Sequence, residues 1–407
     1  MHLCLHWSYW LRLIAARALQ GLGGGGLFVL ALSIIGDVIP PRERGRVQGV
    51  FAGVFGVSSV AGPLLGGWFV DTLSWHWIFF INLPFGLLAL AGFTFGFKAR
   101  PKTVAHKVDY AGAIALSLAL ASIVLTTALG GQEFAMTDPI GLAFIALILC
   151  SSIAFLWIES RAEEPILSLQ LFKSNVFTVT SLISFATGAL MFGALTFIPV
   201  YLQIAKGDSA TQSGLQLIPM TFGILVSSNL AGRYMTRTGR YRVLPLIGLS
   251  FGTLALATLT RLSPELPAPV LWASLAALGA GMGCIFPVIT TAVQNAVPRE
   301  QIGTATAAGL MFRQVGGSIA VALFGALFAS RMAALMDTTD VSGLGNISEL
   351  GPQVMAELPA DVQHMIAQNV SDALHPIYWI AAGLALAALI CAFFLQEIPL
   401  LSSRENS

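Results

Sequence analysis

Apolar runs about twenty residues long recur from one end of this 407-residue chain to the other, and each is long enough to cross a bilayer as a helix. Lipid offers a backbone no hydrogen-bond partners, so spanning segments fold either as helices or as a closed barrel. Barrel strands alternate polar and apolar residues; these runs are aliphatic throughout, which selects helix. Charge agrees with that choice. Only 10% of residues are Asp, Glu, Lys or Arg, against about 25% in soluble domains, too few to clothe a water-facing surface. The expected fold class is all-α, a polytopic transmembrane helical bundle. Eleven spans are predicted, at about 13–35, 47–70, 77–97, 109–129, 140–159, 176–203, 211–232, 243–261, 269–292, 303–330 and 375–396.

The connections hold most of the charge, and hold it unevenly. Fifteen of the 21 Lys and Arg residues, from Arg42, Arg44 and Arg46 to Arg404 near the C-terminus, fall on one set of alternate loops. Arg12, Lys206, Arg261 and Arg331 fall on the other. Positive residues collect in cytoplasmic loops, so the rich set and the C-terminus are expected in the cytoplasm. A net charge of +1, with no basic cluster interleaved with aromatics, gives no ground for a nucleic-acid partner. Cys4, Cys150, Cys284 and Cys391 are scattered, without metal-ligand or disulfide-framework spacing. His2 and His6 stand at helical spacing, but the six histidines are dispersed and form no enzyme-like cluster with carboxylates. Neither cofactor, metal nor enzymatic activity is expected.

Two stretches repeat. Gln20-Gly21-Leu22-Gly23-Gly24-Gly25 leads through a span to Pro41-Arg42-Glu43-Arg44-Gly45; Gly279-Ala280-Gly281-Met282-Gly283 leads through a span to Pro298-Arg299-Glu300-Gln301-Ile302-Gly303. Both Pro-Arg-Glu loops lie on the positive side, so the repeat is parallel, an arrangement known between the two halves of major facilitator transporters. If spans nine to eleven repeat spans one to three, spans six to eight need counterparts that would precede residue 1. The expected plan is then six, two and six helices. About 11 spans of an expected 14 are present, with a three-span partial N-terminal lobe at 1–97, a two-helix linker at 98–170 and a six-span C-terminal lobe at 171–407.

Several motifs carry a family resemblance that covers essentially the whole chain. Arg17-Ala18-Leu19-Gln20-Gly21 looks like the Arg-x-x-Gln-Gly of the fourth helix of major facilitator exporters. Gly62-Pro63-Leu64-Leu65-Gly66-Gly67 resembles the Gly-Pro-x-x-Gly-Gly antiporter motif of the fifth. The stretch from Trp75 to Gly86, with Asn82 and Pro84, is similar to the opening of the sixth helix in fourteen-helix drug:proton antiporters of the QacA/EmrB type. Gly232-Arg233-Tyr234-Met235-Thr236-Arg237-Thr238-Gly239-Arg240-Tyr241-Arg242 looks like the second, degenerate copy of the family's cytoplasmic Gly-x-x-x-Asp-Arg-x-Gly-Arg motif. Thr236 stands where better copies have Asp, so an Asp-based latch is not expected there. The resemblance implies a secondary active transporter of the bacterial inner membrane, exporting amphipathic, cationic or lipophilic small molecules against an inward flow of protons. It leaves room for a periplasmic adaptor protein. A non-transporting sensor, a truncated inactive remnant and a metabolite transporter of the same fold are the alternatives.

A charge in hydrocarbon costs at least about 2.5 kcal/mol, so each intramembrane arginine calls for an explanation. Arg17 either faces a cavity or a carboxylate and tunes proton coupling, with Gln20 one turn on, or snorkels to the interface. Arg313, followed by Gln314, either lines a cavity or contacts helix-end carbonyls. Gly62, Pro63, Gly66 and Gly67 are expected to bring two helices close and bend one. Asn82, Asn229 and Gln203 line a pathway or hold helices together, and Asn295 caps a helix end. No carboxylate falls mid-span; the proton-coupling group is therefore expected in the upstream helices, or nowhere. Val354, Leu358, Val362, Met365, Ile366 and Val370 recur at three- and four-residue spacing and predict an amphipathic helix on the outer surface.

Overall fold

A computed structural model describes residues 2–74, 76–96, 109–129, 138–162, 165–337 and 359–400. Each of the eleven predicted spans falls on helix, and the described residues contain no strand. The α-helices are α1 (His2–Val38), α2 (Pro41–Thr72), α3 (Trp77–Phe80), α4 (Asn82–Gly96), α5 (Tyr110–Leu129), α6 (Pro139–Glu159) and α7 (Asn175–Val200). They continue with α8 (Ala210–Gln216), α9 (Ile218–Thr238), α10 (Val243–Leu259), α11 (Ala268–Asn295), α12 (Ile302–Asp337) and α13 (Ala360–Phe393). Eight stretches are long and apolar enough to cross a membrane, and α5 and α10 are shorter apolar helices.

Prolines set several boundaries. Pro41 opens α2 at a position whose N–H would have no helical partner. Pro139, Pro219 and Pro269 do the same in the first turns of α6, α9 and α11. The sixth-helix motif shows the opposite effect. A proline in mid-helix clashes with the carbonyl four residues earlier; Pro84 points that conflict at Phe80, where α3 ends and the chain turns before α4. Gly239 closes α9 in the left-handed conformation, with φ of 68°, which favours glycine.

The buried core runs through α7 and α9–α13. Its helices come closest where small residues face one another, as in membrane bundles. A Cβ on Gly188 would collide with the Arg313 carbonyl, one on Gly316 with the Phe185 carbonyl, and one on Gly279 with the Met220 carbonyl. These contacts lock α7 to α12 and α9 to α11. The α5–α6 hairpin forms a smaller cluster, in which Ala115 and Phe155 meet Leu171, Phe177 and Ala305. At its end Asp109 accepts from the Gly112 N–H at 2.8 Å, and buried Glu159 accepts from the Leu167 N–H.

The amphipathic segment is not a separate surface helix. Its described part is the first third of α13, continuous with the last span, and Ile366 and Val370 are fully buried in the main core. The three- and four-residue spacing marks a face packed on protein, not on lipid. Val354 and Leu358 lie outside the described residues.

The repeat has a structural counterpart. α1 packs on α12, and α2 packs on α11. Exchanging the two copies (α1 for α11, α2 for α12) turns the first contact into the second, the pattern of a two-fold relation. The copies differ in detail: α2 starts directly at Pro41, whereas Arg299–Gln301 make a 3₁₀ turn before α12.

Candidate functional site

Two adjoining clefts share Phe286 and Thr290 of α11 and Leu310 and Arg313 of α12. One opens between α7, α11 and α12, where Ser184, Thr187 and Thr306 add hydroxyls. The other opens between the α1–α2 pair and the α11–α12 pair, where Phe28, Leu32, Gln48 and Phe51 complete the wall. Arg313 therefore stands between them. Its Cζ lies 5.0 Å from the centre of the Phe286 ring, within range for a cation–π contact. Behind it, the Gly188 contact holds its own backbone against α7. Neither a helix-end carbonyl nor a carboxylate partners it among the described residues. No acidic side chain lines either cleft.

At the end marked by the Pro-Arg-Glu loops, the pairs are tied together by buried polar groups. The Gln48 amide donates to Gln294 Oε1 at 3.2 Å and accepts from the Thr291 hydroxyl at 3.2 Å. The Gln294 amide donates to the Leu32 carbonyl and to Thr306 Oγ1, each at 3.1 Å. Arg44 donates to the Ile39 carbonyl at 2.8 Å and to the Gln294 carbonyl at 3.4 Å. Four helices thus meet on one glutamine.

The motif loop after α9 joins this closure. Arg42, in the first turn of α2, donates from Nε to the Thr236 carbonyl and from Nη2 to the Arg237 carbonyl, both at 2.7 Å. Those carbonyls end α9, where the helix dipole is negative and a cation is favoured. Where an Asp is missing at Thr236, the main chain supplies the acceptors. Gly232 lies under this contact: a Cβ there would come within 2.6 Å of the Gly45 carbonyl. Along the same seam the Ser228 hydroxyl donates to the Gly49 carbonyl at 3.2 Å, and a Cβ on Gly53 would touch Leu225 at 2.8 Å. The rest of the motif faces the C-terminal segment. Arg242 donates to the Phe393 carbonyl at 2.8 Å, the Gly239 carbonyl accepts from the Leu400 N–H at 3.0 Å, and the Arg240 N–H is held by Thr238 Oγ1 at 3.1 Å. Asn295 also belongs to this contact, donating to the carbonyls of Ile398 and Pro399 instead of capping its helix.

Other sequence candidates lie elsewhere. Arg17 is exposed, 4.5 Å from the centre of the Phe79 ring, and donates to Gln20 Oε1 at 3.0 Å. Arg17 and Arg313 do not share a cleft. Gln314 is exposed and points away from the cleft wall, as one step of about 100° around a helix requires. Gly62 and Gly66 have no atom within 4 Å of a Cβ position. Here the close helix approach is made by Gly45, Gly49 and Gly53, on the same helix but nearer its start. Pro63 and Gly67 fall on α2 as well, which runs unbroken from Pro41 to Thr72. Asn82 donates to the Ile78 carbonyl at 3.3 Å, spanning the break before α4, and Asn229 to the Leu225 carbonyl at 2.9 Å.

Gln48, Gln294 and the roles of Arg42 and Arg44 are not read from the sequence. The available signal is an isolated glutamine in each of two otherwise small and apolar helices, beside loops that repeat.

The sequence profile of the Major Facilitator Superfamily matches residues 2–321. An uncharacterised MFS-type transporter of Mycobacterium tuberculosis is 35% identical over 97% of this chain, which spans 58% of that relative's length. The multidrug transporter protein MdtP of Bacillus subtilis is 32% identical over 96% of this chain and 71% of its own length. Multidrug resistance protein 3 of the same species is 29% identical over 97% of this chain and 79% of its own. Among solved structures, a bacterial homologue of the human lysosomal transporter Spinster aligns with 90% of this chain and 91% of its own, at 14% identity and a TM-score of 0.46.

Proposed function

Since the chain belongs to the Major Facilitator Superfamily, a family of multi-pass membrane transporters, we propose that it exports drugs or other amphipathic small molecules in exchange for protons. The observation that carries this reading is the position of the clefts. One lies between two repeat-related helix pairs, α1–α2 and α11–α12, and the other adjoins it between α7, α11 and α12, so rocking of one body against the other would expose their shared wall to alternate sides. We take α1–α4 (within 1–97) as part of one lobe, the α5–α6 hairpin (within 98–170) as a linker, and α7–α13 (within 171–407) as the other. The polar contacts of Gln48, Gln294, Arg42 and Arg44 hold one end shut. By charge asymmetry that end is cytoplasmic, as is the C-terminus. With that end closed, we read the arrangement as outward-facing.

The finer reading, a drug:proton antiporter of the fourteen-helix QacA/EmrB type, is supported by the linker hairpin and the motifs at Arg17, Gly62 and Asn82. Export is favoured by the names of the multidrug relatives. A periplasmic adaptor is compatible with this reading and is not required by it. The test is accumulation of a panel of cationic, neutral and anionic dyes in inside-out vesicles whose lumen is made acidic. Uptake that collapses with a protonophore is expected. Vesicles that take up none of these dyes under the gradient would sink the export reading. Uptake indifferent to the gradient would sink proton exchange alone.

A further inference from the structure

We infer that the shared cleft is built for an amphipathic anion, a ring-bearing molecule with a sulfonate or carboxylate group, and that Arg313 is the residue that selects it. The inference rests on the transporter reading above and names the substrate class of that same cleft.

Arg313 stands eleven residues after Ile302 and 24 before Asp337 on one unbroken helix, so it lies several turns from either end. A guanidinium at such a depth needs a counter-charge, a polar partner or water. The described residues give it none of the first two. Among the described residues the guanidinium meets the face of Phe286, and its planar fork of five N–H donors has no acceptor among them. Four of the five helices that wall the clefts supply groups of the same kind, and α1 adds only Phe28 and Leu32. α7 gives Ser184 and Thr187, α11 gives Thr290, α12 gives Thr306 and α2 gives Gln48. These are neutral donors and acceptors, and none offers the negative charge that would hold a cation. Phe28, Phe51 and Phe286 supply aromatic surface next to the charge. A planar fork that binds oxyanions bidentately, beside ring faces and hydroxyls, is complementary to an aromatic anion. It opposes the cationic substrates that the family resemblance suggests.

The arginine cannot be repositioned easily. Its carbonyl presses on Gly188, and the next turn of α12 presses Gly316 on the Phe185 carbonyl. These contacts fix the backbone from which the side chain starts, and the guanidinium itself rests against Phe286.

Two probes separate the charge from the rings: 8-anilinonaphthalene-1-sulfonate and N-phenyl-1-naphthylamine, which has the same rings and no sulfonate. Equilibrium binding to the purified full chain in detergent is measured by dialysis, and uptake is measured in proteoliposomes. Saturable binding with at least a tenfold preference for the sulfonate is expected. Arg313→Gln should reduce that ratio about tenfold, and Arg313→Lys, which keeps the charge and loses the fork, should retain part of it. Equal affinity for the two probes, or a preference untouched by Arg313→Gln, overturns the inference. If Arg313→Gln binds neither probe, Arg313→Lys decides: no sulfonate preference there also overturns it. The arms distinguish the two readings. Sulfonate preference without uptake of any dye keeps the anion site and removes export, whereas gradient-driven uptake of ethidium and the neutral probe without sulfonate preference keeps export and removes the anion site.

Discussion

Gln294 concentrates more buried hydrogen bonding than any apolar neighbour could replace, since its side chain and carbonyl meet Gln48, Leu32, Thr306 and Arg44. Removing one partner of a buried polar pair costs about 1–3 kcal/mol, while replacing both by apolar groups costs much less. Gln294→Leu is therefore expected to lower the detergent melting temperature by several degrees. The pair Gln48→Leu with Gln294→Leu should cost less than the two single changes summed, and a strictly additive result would mean the glutamines do not act together. Glycine contacts give a second residue-level test. Gly316→Ala drives a methyl into the Phe185 carbonyl, whereas Gly325 has open space around it. Overpacking of this kind costs about 1–3 kcal/mol, so Gly316→Ala should melt lower and Gly325→Ala should melt no lower than the parent. At this scale the sequence is legible where chemistry is unusual: Arg313 announces itself as a charge in an apolar run. Gln48 does not, because its importance depends on Gln294, 246 positions away. The arginines of the first loop read only as topology signals, because nothing local tells that Arg42 will meet the end of α9.

Among the elements, the spans are the most legible feature, because length and hydropathy are properties of contiguous sequence. Which face of a helix meets protein is less so. In α13 the pattern around Ile366 and Val370 is periodic whether the apolar stripe meets lipid or a bundle, and periodicity alone cannot separate the two. The structure places Ile366 and Val370 in the core with no exposure. Ile366→Asp should consequently place an unpaired carboxylate in that core, at a cost of several kcal/mol, and abolish recovery of folded protein in a size-exclusion assay. Near-normal recovery would restore the surface-helix reading. The break between α3 and α4 is legible in Pro84, once the clash with Phe80 is considered. The glycines of α2 divide differently: the motif at Gly62 catches attention because it is compact, but the seam with α9 is made by Gly45, Gly49 and Gly53, a four-residue repeat of small residues that the sequence does show and that marks close helix packing.

For the whole molecule, the contact pattern of α1 with α12 and α2 with α11 gives the repeat a mechanical sense. One end of the clefts is closed by residues from both copies, so opening it means breaking them together. Arg42→Ala removes two hydrogen bonds to a charged donor, about 1.5–3 kcal/mol each, enough to shift a two-state balance tenfold or more. Thr290→Cys, inside both clefts, reports on this if labelled by an impermeant maleimide in inside-out vesicles. Adding Arg42→Ala should speed its labelling about tenfold; an unchanged rate would show that the Arg42 contact does not hold that end. The choice of acceptor has a further consequence. A carboxylate partner can be protonated, and it can be lost by a single mutation. The Thr236 and Arg237 carbonyls belong to the main chain, present whatever side chains occupy those positions and neutral at every physiological pH. A clasp of this kind has no carboxylate on its receiving side for acid to neutralise, and heredity reaches it through Arg42 or through the backbone fit at Gly232 rather than through the side chains at 236 and 237.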